Sequence, residues 1–302
     1  MHDLGIVIVN WNTSALLRRC LESVLASEGV RCAVVVVDNA SSDGSAAMVA
    51  AAFPQVQLIA SPTNDGFSIA NNQGLRQLGF GQPSRPDAPR YALLLNPDTE
   101  LAPDALARMV AYMDADPGMG AAGPKLVLPD GSLDYACRRA FPTPAVSFYR
   151  IMGLSKLFPR SRVFGRYNMT YLDPNQETEV DSVVGAYMQV RREAIDQVGL
   201  LNESFFMYGE DLDWAFRIKQ AGWTIRYNPA VTVLHVKRAA SRQSKRAQQE
   251  FHRASLMFYR MHYRQQTPLW LHSLVMLGLL VKGGRRVWQE MRQPSHPFGT
   301  SA

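Results

Sequence analysis

Short runs of continuously apolar, largely β-branched residues recur along the first third of this chain, and each stops at a polar turn. Residues 4–9, 33–37 and 91–95 are three such runs, and 56–60, interrupted by Gln57, reads as a further strand. Between them, residues 14–25 place Leu16, Leu17, Leu21, Val24 and Leu25 at helical spacing, and residues 46–53 and 70–78 read as further helices. Strands without polar alternation are covered on both faces, so the pattern predicts an α/β fold with a mostly parallel sheet flanked by helices. Pro103 opens a helix over residues 104–113, and Asp116-Pro117-Gly118 stops it. Farther on, residues 182–191 read as strand, 193–198 and 209–221 as helices, and 224–227 and 231–234 as two strands. Residues 130–181 lack clear periodicity and carry several Pro, Gly and Arg, which suits a long irregular region such as a lid or binding loop.

In a sheet of this kind, ligands bind beyond the carboxyl ends of the strands, where the strand order reverses. The polar clusters stand there: Asn10-Trp11-Asn12, then Asp38-Asn39-Ala40-Ser41-Ser42-Asp43-Gly44, then Asn96-Pro97-Asp98-Thr99-Glu100. Each alone is ordinary turn chemistry, but three in succession point to a site. No GxGxxG follows the first run and no GxxxxGK[ST] occurs anywhere. A bound diphosphate would therefore need a divalent cation on carboxylate oxygen, with Asp98 the candidate. A second constellation, FFMYGEDLDW at residues 205–214, sets Glu210, Asp211 and Asp213 directly behind an aromatic run. Acids in a first helical turn suit the macrodipole, yet three exceed what capping needs. Like charges crowded beside apolar surface raise a carboxyl pKa toward that of a useful base. His235, a lone histidine at a strand end, reads first as structural, and Lys237 and Arg238 after it could neutralise an anionic group directly. Arg138 and Arg139 read as solvated loop residues rather than contacts of an anionic ligand.

These segments recur in a fixed order, joined by N-x-G-F-x-x-A-N-N-x-G at residues 64–74, LLLNPDTEL, GAYM at 185–188, and Ser241 after His235. Over residues 4–241 the set resembles the inverting family 2 glycosyltransferases of GT-A fold, with their Rossmann-like sheet, and most resembles the rhamnosyltransferase-like branch. The resemblance implies that Asn10 and Trp11 grip and stack a nucleotide base and that Asp38 meets its edge or the ribose. Asn12, Asn39, Asn72 and Asn96 complete the implied nucleotide-sugar contacts. Asp98, with His235, would hold Mg2+ or Mn2+, while Asn96 replaces the first acid of the family's DxD element. Asp211 would be the catalytic base and Glu210 its neighbour toward acceptor. Asp65, where the family has a small or apolar residue, receives no role. The implied reaction moves a sugar such as rhamnose from a dTDP- or UDP-linked donor to a saccharide or lipid-linked saccharide acceptor in bacterial cell-surface polysaccharide synthesis. Three rivals remain. A nucleotidyltransferase would carry a Gly-rich basic loop after the first strand, and a dehydrogenase would carry the glycine fingerprint. A non-catalytic membrane scaffold would not need acids at 98, 210, 211 and 213.

Residues 1–240 read as the transferase domain and 241–302 as a basic, amphipathic helical appendage. From Lys237 onward, twelve Lys and Arg face two acids, whereas the preceding residues carry 20 basic and 24 acidic groups. The apolar stretch 269–281 spans about 20 Å as a helix, short of the ~30 Å hydrocarbon core. With basic flanks and Trp270 and Trp288, it reads either as an in-plane membrane anchor or as a helix packed on the catalytic domain. No nucleic-acid motif accompanies the charge, so nucleic acid is not an expected partner. Three dispersed cysteines and an opening without a secretory pattern lead to the expectation of a cytoplasmic protein at the inner face of the membrane.

Overall fold

Leu4–Asn10 (β1), buried at all seven positions, pairs in parallel with Cys32–Asn39 (β2) on one side and Tyr91–Leu95 (β4) on the other. Gln57–Ser61 (β3) extends β2 in parallel. The strand order therefore reverses at β1, the switch point at which a crevice opens. The computed structural model describes residues 2–237 and 245–292, so Arg238 and Ser241 lie outside the described residues. Ser14–Leu25 (α1), Ser45–Ala52 (α2), Phe67–Gln77 (α3) and Ala105–Asp114 (α4) connect the strands, α1 burying Leu16, Leu17, Leu21 and Val24.

The remaining strands are Thr99–Leu101 (β5), Met119–Val127 (β6), Thr178–Glu179 (β7), Tyr187–Arg191 (β8) and Thr224–His235 (β9). Among the described residues they complete one sheet in the order β3-β2-β1-β4-β8-β6-β9-β5, with β7 on β9. β8 is antiparallel to both β4 and β6, and Tyr187 at its start faces Leu95 at the end of β4. The predicted strand over 182–191 is thus shorter, because residues 182–186 turn toward the crevice. β6 has no counterpart in the sequence reading, since Gly120, Gly123 and Pro124 mask it. The glycines are close-approach sites: an added Cβ would lie 2.5 Å from Trp223 Cβ at Gly120 and 2.9 Å from Val183 Cβ at Gly123. The two strands expected at 224–234 are one, β9, and its register against β6 jumps between Pro124 and Lys125.

Within residues 130–181 the chain is mostly irregular, as expected, but Pro144–Ile151 (α5) and Leu154–Leu157 (α6) are helical. Thr143 caps α5 by accepting from Val146 N at 3.3 Å, with Pro144 in the first turn. Arg192–Val198 (α7) and Glu210–Gln220 (α8) follow. Lys245–His262 (α9) and Leu269–Arg292 (α10), the latter interrupted at Gly284, bear out the helical reading of the C-terminal region. α9 packs on α8 through Phe258, Met257 and Ala254 against Leu212 and Phe205. α10 packs on α9 through Val275, Leu279 and Val287 against Leu256 and Tyr259. The inner face of α10 is therefore a packed helix. Its outer face leaves Trp270, Leu274, Leu277 and Val281 exposed, a spacing that makes one stripe, and Trp288 is exposed beyond the break at Gly284. No helix among the described residues is long and apolar enough to cross a membrane.

Candidate active site

At the ends of β1 and β2 the polar clusters form one hydrogen-bonded frame. Asn10 and Asp38 face each other in register, and Asn10 Nδ2 donates to Asp38 Oδ1 at 2.8 Å. Ser41 Oγ accepts from Asn10 Nδ2 and from Asn12 N, while Ser42 N donates to Asn12 Oδ1 at 2.7 Å. Asn12 (φ 55°) and Ala40 (φ 61°) hold left-handed backbone, a strained state that non-glycine residues adopt where the surroundings impose it. Trp11, 56% exposed beside this frame, presents a free aromatic face of the kind on which a base stacks. Asn39 is buried and binds the 64–66 loop through Asn64 Oδ1, Gly66 O and Asp65 N. Asn72 is not brought to this corner: its amide ties α3 to Leu201 and Glu203.

After β4, Asn96 N donates to Ala186 O at 3.0 Å, and Asn96 and Asp98 are both half-buried. Asp98 Oδ1 stands 3.4 Å from His235 Nε2, and His235 Nδ1 lies 2.9 Å from Asp134 Oδ2. Burial opposes a charged imidazole, but Asp134 and Asp98 outweigh it and raise the His235 pKa. Asp134 is itself buried, yet His235 and its ion pair with Lys237 hold its carboxyl well below the usual range. Asp134 fixes the imidazole through Nδ1 and leaves Nε2 facing the Asp98 carboxylate, so the pair could offer donors to a cation only once Nε2 has lost its proton. Among the described residues no group of three or more His, Cys, Asp or Glu forms a complete metal cage. Asp98 and His235 supply two donors, which suits a cation whose other positions are filled by water and substrate phosphate.

The acidic segment reaches the crevice by a different route. Gly66, at φ +92°, approaches Phe206 so closely that an added Cβ would lie 2.5 Å from its carbonyl oxygen, and Phe67 N donates to that oxygen at 2.6 Å. Tyr208 (φ 68°) and Gly209 (φ 85°) then turn the chain into α8. Asp211 Oδ2 accepts from Arg139 Nη2 at 2.7 Å and from Gly185 N at 3.0 Å. Gly185 precedes Ala186, whose carbonyl holds Asn96, so the acid that opens α8 and the Asp98 turn are anchored on adjacent residues. Glu210 is buried and its Oε2 has no hydrogen-bond partner among the described residues. Burial first, then the adjacent Asp211 charge, push its carboxyl up to about 8. Asp213 points elsewhere, bridging Arg217 Nε at 2.9 Å and His262 Nε2 at 2.8 Å.

Two participants escaped the sequence reading. Arg139, expected to solvate a loop, is buried against Asp211, Ser182 and Val183 O. Arg138 is buried as well and donates to Leu172 O and Asp173 O. The signal was available in the acids, since three carboxylates gathered in one buried turn require a cation. Asp134 stands in the irregular region with no motif around it, and the bridge of Val127 to Leu133, with Asp134 N donating to Leu126 O at 2.9 Å, brings it beside β9.

Residues 5–199 match the Glycosyl transferase family 2 profile. N-acetylglucosaminyl-diphospho-decaprenol L-rhamnosyltransferase of Mycobacterium tuberculosis is 30% identical over 236 residues, covering 78% of this chain and 76% of that protein. A mannosyltransferase of Pyrobaculum calidifontis, solved with GDP-Man and Mn2+, superposes with a TM-score of 0.58 at 16% identity over 98% of this chain and 77% of that one. GalNAc-T7, solved with UDP, GalNAc and Mn2+, gives 0.59 at 15% identity over 99% of this chain and 59% of that one. The fold is GT-A, and the chain belongs to glycosyl transferase family 2, in its rhamnosyltransferase-like branch.

Proposed function

We propose that this glycosyltransferase is metal-dependent and inverting. Its donor would be a dTDP- or UDP-linked sugar, with a deoxyhexose such as rhamnose favoured by the named activity of the mycobacterial relative. Its acceptor would be a saccharide or lipid-linked saccharide of a bacterial surface polysaccharide, met at the inner face of the membrane. The observation that carries the reading is the shared anchor of the two reactive corners: Ala186 O holds Asn96 and Gly185 N holds Asp211.

In this reading the Asn10–Asp38–Ser41 frame and Trp11 receive the nucleoside. Asp98 and His235 hold Mg2+ or Mn2+, which when bound neutralises charge on the departing diphosphate. Asp211 takes the acceptor hydroxyl proton as that oxygen attacks the anomeric carbon from the face opposite the diphosphate. Arg139 and the Gly185 amide fix one Asp211 oxygen, so the carboxylate is oriented before acceptor arrives. Glu210, retaining its proton near neutrality, donates a hydrogen bond toward the acceptor instead of competing for its proton. Residues 1–240 carry this chemistry. Residues 241–302 supply the membrane-facing part through the exposed stripe of α10, with Lys282 and Arg285 on the same helix.

A panel of UDP- and dTDP-sugars with a lipid-diphosphate saccharide acceptor and Mn2+ tests the assignment. Transfer from one donor, abolished by excess EDTA and restored by Mn2+, is expected. Full transfer in chelator excludes the role given to Asp98 and His235.

A further inference from the structure

Residues 135–172 carry seven Lys and Arg and no acid. Arg138 and Arg139 are buried, but Arg150, Lys156, Arg160, Arg162 and Arg166 are exposed. None of these five forms an ion pair among the described residues, unlike the exposed Arg31, Arg76 and Arg90. The same segment exposes Met152, Leu157, Phe158 and Val163, the last three interleaved with the cations. Exposed apolarity is thereby concentrated: this segment and α10 hold ten of the fourteen large apolar side chains exposed among the described residues.

The turn that displays them is held together. Ser161 Oγ accepts from Val163 N and Phe164 N at 3.2 Å, and Gly165 N donates to Ser161 O at 2.8 Å. Phe164 meets Tyr149 of α5 edge-on with centroids 5.0 Å apart, and Phe158 lies 5.6 Å from Phe164. α5 in turn abuts α10: an added Cβ at Gly278 would lie 3.0 Å from Ile151 Cδ1, and Lys282 Nζ donates to Ile151 O at 3.2 Å. Leu277 and Val281, exposed beside Gly278 and Lys282, continue the patch onto α10. A second copy of so basic a surface would be repelled, and a soluble anion would leave Leu157, Phe158 and Val163 in water. Anionic headgroups above an apolar phase satisfy both sets of residues.

We infer that residues 150–166 form a second membrane contact, within the transferase domain itself, which docks on anionic lipid beside α10. This extends the proposed function, in which only residues 241–302 face the membrane. Two weak contacts on one packed surface bind more tightly than either alone and fix the tilt of the molecule on the bilayer.

Flotation of the full-length protein with phosphatidylcholine vesicles, with and without phosphatidylglycerol, tests the inference. Binding is expected to require phosphatidylglycerol and to fall with salt. Arg160→Gln with Arg162→Gln should weaken partitioning about thirtyfold, and Leu157→Ser with Phe158→Ser at least about tenfold. All four positions are exposed, and circular dichroism verifies that the variants fold. Wild-type partitioning of both double variants overturns the inference. Release of a Leu277→Ser, Val281→Ser variant in the same assay would then leave the α10 contact standing. Loss in the arginine variant alone makes the segment a site for a soluble polyanion and overturns the membrane assignment. Equal flotation with and without phosphatidylglycerol, or none at all, overturns it too. Nucleotide titration in Mn2+ reads the transferase assignment separately: a protein that floats through this segment but binds no nucleotide keeps the surface and loses the transferase.

Discussion

Arg139 and Gly185 N converge on one oxygen of Asp211, and Leu212 N satisfies the other, while the neighbouring Glu210 keeps a buried oxygen with no hydrogen-bond partner among the described residues. Two adjacent carboxyls in one turn are thereby driven apart in character. Strain gathers at the same places. Of the five described non-glycine residues with left-handed φ, Asn12, Ala40, Tyr208 and Lys237 border the site, and only Met169 lies elsewhere. Glu210 gives this arrangement a pH signature. Its ordinary pKa of 4.5 rises to about 8 in the fold, so between these values the unfolded chain has lost a proton that the folded chain keeps. Stability must then decline as pH climbs through that window. Glu210→Gln removes the decline, and its Tm relative to wild type should grow from about pH 5 to about pH 8, each unit of pKa shift being worth about 1.4 kcal/mol. A Tm difference that stays flat with pH contradicts a raised Glu210.

At the scale of elements, β1, β2, β4 and α1 were legible because their apolar runs are unbroken and their ends are marked by Asn, Asp and Ser. β6 was not, because the small residues that let it lie against Trp223 and Val183 imitate a turn. α5 carried its own signal in Thr143-Pro144, lost among the prolines of the middle region. The site divided in the same way. Asn10, Asp38, Asp98 and Asp211 sit in local motifs and were nameable. Asp134 and Arg139 reach the site only through long-range pairing, which no window of sequence displays. Asn72 shows the converse, since a residue inside a recognisable motif serves the packing of α3 on the 201–203 loop. The joint between α8 and α9 is a test of packing at this scale. Phe258 is buried against Leu212 and meets Phe216 edge-on with centroids 5.9 Å apart. Phe258→Ala should cost about 3–5 kcal/mol in urea denaturation. A loss below about 1 kcal/mol would mean that α9 does not brace the helix that carries the acids.

Across the whole molecule, charge and apolarity are segregated. The Asn10–Asp38, Asp98–His235 and Glu210–Asp211 clusters occupy the acidic part of the chain, whereas the basic end supplies α9, α10 and an exposed stripe of Trp270, Leu274, Leu277 and Val281. Scattered exposed apolar residues are normal, but a helical stripe with cations on the same helix suits an anionic lipid surface. Full-length protein should therefore float with anionic vesicles, less so at high salt, and a Trp270→Ser, Leu277→Ser, Val281→Ser variant should stay behind. Equal recovery of both proteins removes the membrane role of α10. The central claim is that Asp211 accepts the proton at the sugar whose diphosphate is held beside Asp98 and His235. Comparing Asp211→Asn with wild type for both transfer turnover and nucleotide affinity in Mn2+ tests it most directly. Turnover should fall by roughly 10²–10⁴-fold with nucleotide affinity preserved, whereas wild-type turnover in the variant would show that the proton goes elsewhere.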